Sequence, residues 1–106
     1  MAETALTEAV YYILLSLTQP LHGYGIMQRV QQMSSGRVNL AAGTLYGALS
    51  TLVTRGWIEE LPGGADSRRK EYALTDLGWE AMDSELIRLQ ELVTNGLKWK
   101  ESHGND

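Results

Sequence analysis

Three adjacent basic residues are one of two features of this sequence that are suited to specific chemistry. Arg68, Arg69 and Lys70 follow a Pro-Gly-Gly segment that is typical of a turn. Neighbouring positive charges on a protruding turn are well placed to bind a phosphate backbone. A solvated turn carries such charge runs just as readily, so the cluster by itself leaves both interpretations open.

The second feature is a face of small residues on one predicted helix. Opposite the apolar positions of that helix lie Gly43, Thr44, Gly47, Ser50, Thr51 and Thr54. A glycine inside a helix costs about 1 kcal/mol relative to alanine, so solvent exposure alone would not favour two of them. The hydroxyls could donate to phosphates or base edges, and the threonine methyls could contact thymine. Close packing against another helix would favour the same residues.

The distribution of charge along the chain favours nucleic-acid binding over helix packing as the use of this face. The net charge of −4 argues against indiscriminate nucleic-acid binding. Residues 19–58, however, contain Arg29, Arg37 and Arg55 and no acidic residue, while the segment after residue 79 is acidic. Such segregation indicates a basic surface that the total conceals, although a chance fluctuation in a small protein is the alternative.

The composition argues against several function classes. The absence of cysteine excludes disulfides, thiol nucleophiles and Cys-based zinc sites, and it suits the cytoplasm. The longest apolar run, residues 9–15, is far shorter than the roughly 20 residues that span a bilayer. The sequence has no phosphate-binding loop, complete dinucleotide fingerprint or metal-ligand spacing. We therefore expect a cytoplasmic protein with no membrane contact, no cofactor, no metal and no enzymatic activity.

Apolar periodicity predicts the elements that must position the two features. Helices are expected over residues 3–18, 23–33 and about 40–55. Thr4 and Asn39 are the candidate N-caps of the first and third helices, and Gly56 suits a left-handed C-terminal position. The apolar face of the first helix is wide enough to suggest a contact with another subunit.

After Gly56 the period changes to that of extended chain. Residues 57–61 and 69–75 predict the two strands of a hairpin, and Thr75 is the candidate cap of a helix ending near Lys100. The order of three helices, a hairpin and a helix predicts a mainly α fold with a small β-hairpin. This is a winged helix-turn-helix with a C-terminal dimerisation helix.

The last helix carries an apolar seam. Its members alternate at spacings of three and four residues, which is typical of a heptad contact between helices: Trp79, Met82, Leu86, Leu89, Val93 and Gly96. We expect a homodimer through this seam, with packing inside one subunit as the alternative for Trp79 and Met82. Whether a small-molecule effector binds between the subunits near Trp79 or Trp99 is left open.

Three motifs resemble those of PadR-type transcriptional regulators. They are Leu-His-Gly-Tyr-Gly-Ile at 21–26, Gly-Thr-Leu-Tyr at 43–46, and Arg-Arg-Lys-Glu-Tyr-Ala-Leu-Thr at 68–75 followed by Gly78. The resemblance covers roughly residues 6–80, and the length is similar to the short subfamily with a single C-terminal helix. It implies a dimer that binds double-stranded DNA, usually to repress transcription.

The resemblance also implies roles for individual residues. Thr44, Tyr46, Gly47 and Ser50 would enter the DNA groove, and Arg68, Arg69 and Lys70 would bind phosphates. His22 and Tyr24 lie at the start of the second helix, where free backbone N–H groups can meet a phosphate. The alternatives are a core position for Tyr46 and Tyr24 and a helix cap for His22.

The sequence departs from the family pattern in places, among them Leu89, where some drug-sensing members have a tryptophan. Ala41-Ala42 stands where Ser-Pro is frequent, and Glu71 replaces the first of two tyrosines, where it would weaken phosphate binding or pair with Arg69. We predict a sequence-specific DNA-binding repressor that binds an inverted-repeat operator as a homodimer. Residues 1–78 would form the DNA-binding domain, and residues 79–106 the dimerisation helix and tail. The net acidity favours the alternative, a winged-helix module that binds protein without DNA.

Overall fold

The computed structural model describes residues 5–62 and 70–103. Its elements follow the predicted order, with one additional short strand. Their bounds are α1 Glu8–Ser16, β1 Leu21–His22, α2 Gly23–Met33, α3 Ala42–Arg55, β2 Ile58–Leu61, β3 Glu71–Leu74 and α4 Asp76–His103. The predicted mainly helical fold with a small hairpin is thus confirmed. No helix in these two ranges is long and apolar enough to cross a membrane.

The helix ends correct several sequence-based expectations. The hydroxyl of Thr7 accepts a hydrogen bond from the Val10 N–H (3.2 Å), so α1 begins later than predicted; Thr4 lies outside the described residues. The prediction that Asn39 caps α3 is wrong, because the N-cap is Ala41 and no side chain caps the helix. Gly56 has a φ of 81°, which confirms its left-handed position at the end of α3.

The sheet has three antiparallel strands in the order β1-β3-β2. Tyr72 at the centre faces Leu21 on one side and Glu60 on the other. The two-residue strand β1 was not predicted, because a segment that short shows no period. Its pairing joins the start of α2 directly to the hairpin.

The core lies where the first three helices meet the sheet. Leu45, Leu49 and Leu52 of α3 are almost fully buried, which confirms the predicted apolar stripe. Each such side chain contributes about 1.5–3 kcal/mol of hydrophobic stabilisation. The other fully or nearly fully buried apolar residues are Ile13, Leu14, Leu17, Ile26, Val30, Ile58, Tyr72 and Met82.

Thr75 fixes the start of α4, as the sequence predicts. Its hydroxyl accepts a hydrogen bond from the Gly78 N–H (3.1 Å) and donates one to the Gly56 carbonyl (2.5 Å). A Cβ on Gly78 would overlap the Trp57 carbonyl, so the first turn of α4 packs directly against the strand entry. The helix continues to His103, three residues beyond the predicted end.

Candidate nucleic-acid interface

The outer face of α3 is exposed along its length. Thr44, Gly47 and Ser50 all lie on the surface, because the apolar stripe on the opposite side of the helix anchors α3 to the core. The described part of this face carries no acidic residue, and its polar atoms are hydroxyls. Such a surface offers hydrogen bonds without repelling a polyanion.

Two glycines on α3 have no partner within the described chain. A Cβ added to Gly43 or Gly47 would have no atom of a neighbouring element within 4 Å. Packing of the described residues therefore does not require glycine at either position. Helical glycine is costly, and the internal packing of the described chain gives no reason for it at these two positions.

Tyr46 is half-exposed and also packs against α2. Its side chain is 49% exposed, so it is not a core residue. Its ring nevertheless lies over Gly23, where a Cβ would be 2.6 Å from the Tyr46 Cζ atom. Tyr46 thus packs α3 against the first residue of α2 and still presents part of its ring at the surface.

His22 and Tyr24 separate into a structural residue and a surface residue. The Nδ1 atom of His22 accepts a hydrogen bond from the Gly25 N–H (3.2 Å), so His22 caps α2, as one of the two interpretations expects. Tyr24 is 61% exposed, which rules out the core position considered for it. Its hydroxyl accepts a hydrogen bond from Gln28 Nε2 (3.3 Å).

Of the three basic residues at the hairpin, Lys70 is described, and Arg68 and Arg69 lie outside the described residues. The Lys70 Nζ atom is 3.4 Å from the Glu60 carboxylate on the neighbouring strand. The backbone of Glu71, the acidic residue singled out in the sequence, pairs in register with Leu61 and His22. Because Arg69 lies outside the described residues, the pairing of the Glu71 side chain with Arg69 stays a prediction.

The basic residues of the acid-free segment differ in their surroundings. Arg37 forms a 2.7 Å ion pair with Glu8 at the start of α1, so its charge is partly balanced. Arg55, in the last turn of α3, lies over the Trp57 ring at 4.9 Å from the ring centre and remains exposed. Such a cation–π contact holds the guanidinium at the surface and leaves its charge in place.

The residues of the apolar seam on α4 differ in how far they are buried. Met82 is only 5% exposed and packs into the core of its own subunit, which corrects the prediction that it lies on an interface. Leu89 is half-buried, whereas Trp79, Leu86 and Val93 remain exposed. Leu97 extends this exposed set by one turn. We call Trp79, Leu86, Val93 and Leu97 the α4 stripe.

Glu85 is a buried carboxylate that the sequence analysis did not single out. It forms two hydrogen bonds with Arg88 (2.8 and 2.6 Å) and accepts one from the Leu6 N–H (3.3 Å). The Arg88 hydrogen bonds lower the pKa of the Glu85 carboxyl, against the opposing effect of burial, and the Leu6 N–H lowers it further. Glu85 therefore joins α4 to the segment before α1 as a charged group.

The geometry defines the class of protein. An exposed third helix packed beside a β-hairpin, with a long helix after it, is a winged helix-turn-helix arrangement. A model of the PadR-like family of transcriptional regulators matches residues 12–84, and the chain belongs to that family.

The chain is also similar to individual proteins and solved structures. The chain is 34% identical over 73 residues to an uncharacterised 37.1 kDa protein in transposon TN4556 of Streptomyces fradiae, a match covering 69% of this chain. The match spans only 20% of the length of that curated relative. Among solved structures, RosR of H. salinarum is 25% identical with a TM-score of 0.65, over 88% of this chain and 94% of that chain. A PadR family transcription regulator from hypervirulent Clostridium difficile is 24% identical with a TM-score of 0.66, over 86% and 98%.

Proposed function

We propose that this protein is a homodimeric transcriptional repressor that binds an inverted-repeat operator in double-stranded DNA. The observation that carries the proposal is the exposed face of α3, with two glycines that contact no neighbouring element of the described chain. Membership of a family of transcriptional regulators supports the same conclusion. A glycine-rich, acid-free helix face is suited to close contact with the floor and walls of a DNA groove.

Within this proposal, residues 1–78 bind DNA. Thr44 and Ser50 contact base edges, and Gly47 admits the helix into the groove. Arg68, Arg69 and Lys70 bind the phosphate backbone beside it. Tyr24 is an exposed phenol near the start of α2 and is a further candidate for a phosphate contact, whereas His22 serves this region as a helix cap.

Residues 79–106 form the dimer in this proposal. The α4 stripe supplies the contact, since Trp79, Leu86 and Val93 recur every seven residues and are all exposed. Leu89 borders this stripe and is half-buried by its own subunit. Two copies related by a two-fold axis would present their α3 helices to two half-sites in opposite orientation.

The decisive experiment adds one methyl group to the groove face. Gly47→Ala should stabilise the fold by about 1 kcal/mol in chemical unfolding, because alanine favours a helix and no neighbouring element lies within 4 Å of the added Cβ. DNA affinity, measured by gel shift with the promoter of its own gene, should fall by about tenfold, since overpacking a close interface costs about 1–3 kcal/mol.

Ser84→Ala is the control, because it also introduces the better helix former at an exposed position of α4, on the side of the helix away from the α4 stripe. It should raise stability slightly and leave DNA affinity unchanged. Equal DNA affinity of Gly47→Ala and the parent protein would contradict the proposed contact.

A protein-binding winged-helix module is the second candidate. It is favoured by the exposed Glu59 and Glu60 on β2 together with the net charge of −4. The same gel shift, carried out at low salt, distinguishes DNA binding from protein binding. Absence of any complex with the promoter fragment or with random DNA would support the protein-binding function.

A further inference from the structure

Glu60 lies on the face of the hairpin that is turned toward the helices. Side chains alternate along a strand, so Glu60 shares a face with Ile58, which is buried in the core. Across the ladder its partner is Tyr72, which is also buried. Lys70 lies two residues before Tyr72, immediately before the first residue of β3. The 3.4 Å pair between Lys70 and Glu60 therefore forms where this face extends past the core.

Tyr72 relates this position to helix α3. The pKa of the Tyr72 hydroxyl is raised first by burial and then by the charge of Glu60 and by Tyr46 of α3. Both Glu60 and Tyr46 thus act on one buried phenol. Glu60 lies directly across the ladder from Tyr72, so its carboxylate and Tyr46 of α3 are neighbours of the same side chain.

We propose that Glu60 acts as an intramolecular competitor of DNA phosphate for Lys70. In the free protein the carboxylate holds the ammonium group; on binding, Lys70 exchanges that carboxylate for a phosphate, and Glu60 remains as a nearby negative charge. The inference rests on the proposed DNA-binding function. It assigns Glu60 a role in limiting the affinity of the protein for DNA. Because phosphate contacts carry no sequence information, this limit applies equally to operator and random DNA.

The size of the effect follows from the exposure of the pair. The Lys70 and Glu60 side chains are 65% and 45% exposed, so the ion pair is screened and weak. Its removal should raise DNA affinity by about twofold to fivefold at low salt, where screening is least. It should also steepen the slope of log affinity against log salt by up to about 0.9, the value of one phosphate contact.

Glu60→Gln is the test variant, and Glu59→Gln is its matched control. Both changes remove one negative charge from neighbouring exposed positions of β2, but only Glu60 forms an ion pair with Lys70 among the described residues. Fluorescence anisotropy with an operator fragment and a random duplex should show the increase for Glu60→Gln on both DNAs. Glu59→Gln should show a clearly smaller one. Equal increases in DNA affinity for the two variants would show that the effect comes from the change in net charge alone, which would overturn the proposal.

Lys70→Gln tests whether the effect passes through the ion pair. In a Lys70→Gln background, Glu60→Gln should no longer raise affinity beyond the increase that Glu59→Gln gives in that background. An undiminished gain there, or a gain on the operator alone, would contradict the exchange of partners. If the parent protein binds neither DNA at low salt, the proposed function itself fails; if the parent binds and Glu60→Gln binds no better, only the role of Glu60 fails.

Discussion

The ring of Tyr46 occupies the space that a side chain at residue 23 would need. A Cβ on Gly23 would lie 2.6 Å from the Tyr46 Cζ atom and 3.1 Å from its Cε1 atom, both closer than normal packing allows. The first residue of α2 and the first turns of α3 are therefore in direct contact. Tyr46 thus contacts the same end of α2 that β1 joins to the hairpin.

Gly23→Ala should therefore destabilise the fold. The overlap with the half-exposed Tyr46 ring predicts a loss of about 1 kcal/mol in the free energy of unfolding, measured by urea denaturation, because the ring must shift. Tyr46→Ala in the same chain removes the obstructing ring, so the two changes should be non-additive, with the double variant more stable than the sum of the single losses predicts. A neutral Gly23→Ala would show that the ring moves aside freely.

Thr44→Ala and Ser50→Ala should reduce sequence preference. If either hydroxyl contacts a base edge, affinity for the preferred site should fall by about 1–3 kcal/mol while binding to random DNA hardly changes. Both variants should fold normally, since each side chain is exposed. Competition gel shifts with specific and random duplexes separate the two effects. An equal loss on both would make these residues phosphate contacts.

Leu86→Asp should dissociate the proposed dimer. It would place an unpaired charge in the α4 stripe of each subunit, at a cost of several kcal/mol per interface. Ile87→Asp is the matched control, because Ile87 is even more exposed (69% against 48%) but lies one residue out of the stripe. Sedimentation velocity should show monomers for Leu86→Asp and dimers for Ile87→Asp. If both variants form dimers of unchanged affinity, the α4 stripe is not part of the dimer interface.

Glu85 predicts a loss of stability in acid. Its pKa is lower in the folded protein than the ordinary value of 4.5, so its contribution is present above pH 4.5 and is lost as the pH falls through the folded value. Glu85→Gln should cost about 1–2 kcal/mol at neutral pH, because Arg88 and the Leu6 N–H lose a charged acceptor. That difference should shrink below pH 4.5 in unfolding measured across the acid range.

The exposed Glu91 on the same helix provides the control for that comparison, since its side chain forms no ion pair with another described residue. Glu91→Gln should leave the acid dependence close to that of the parent protein. A constant difference between Glu85→Gln and the parent at every pH would mean that Glu85 is not acting through its charge.

The sequence by itself determined the features that depend on near neighbours along the chain. Leu45, Leu49 and Leu52 recur at helical spacing, so they specify both the buried side of α3 and, opposite it, the exposed face of Thr44, Gly47 and Ser50. Gly56 and Thr75 were predicted at helix ends for the same reason, because a left-handed residue and a cap act within one turn. The motifs carried the family resemblance because they too are local.

Only the tertiary structure decided which distant residues meet. The antiparallel register brings Glu60, rather than the adjacent Glu71, to Lys70, and the crossing of α2 and α3 brings Tyr46 onto Gly23. The rotation of α4 about its own axis buries Met82 and exposes Leu86, a choice that a heptad pattern leaves open because both lie on one broad apolar face. Such pairings depend on how whole elements pack against one another, and no spacing along the chain encodes that packing directly.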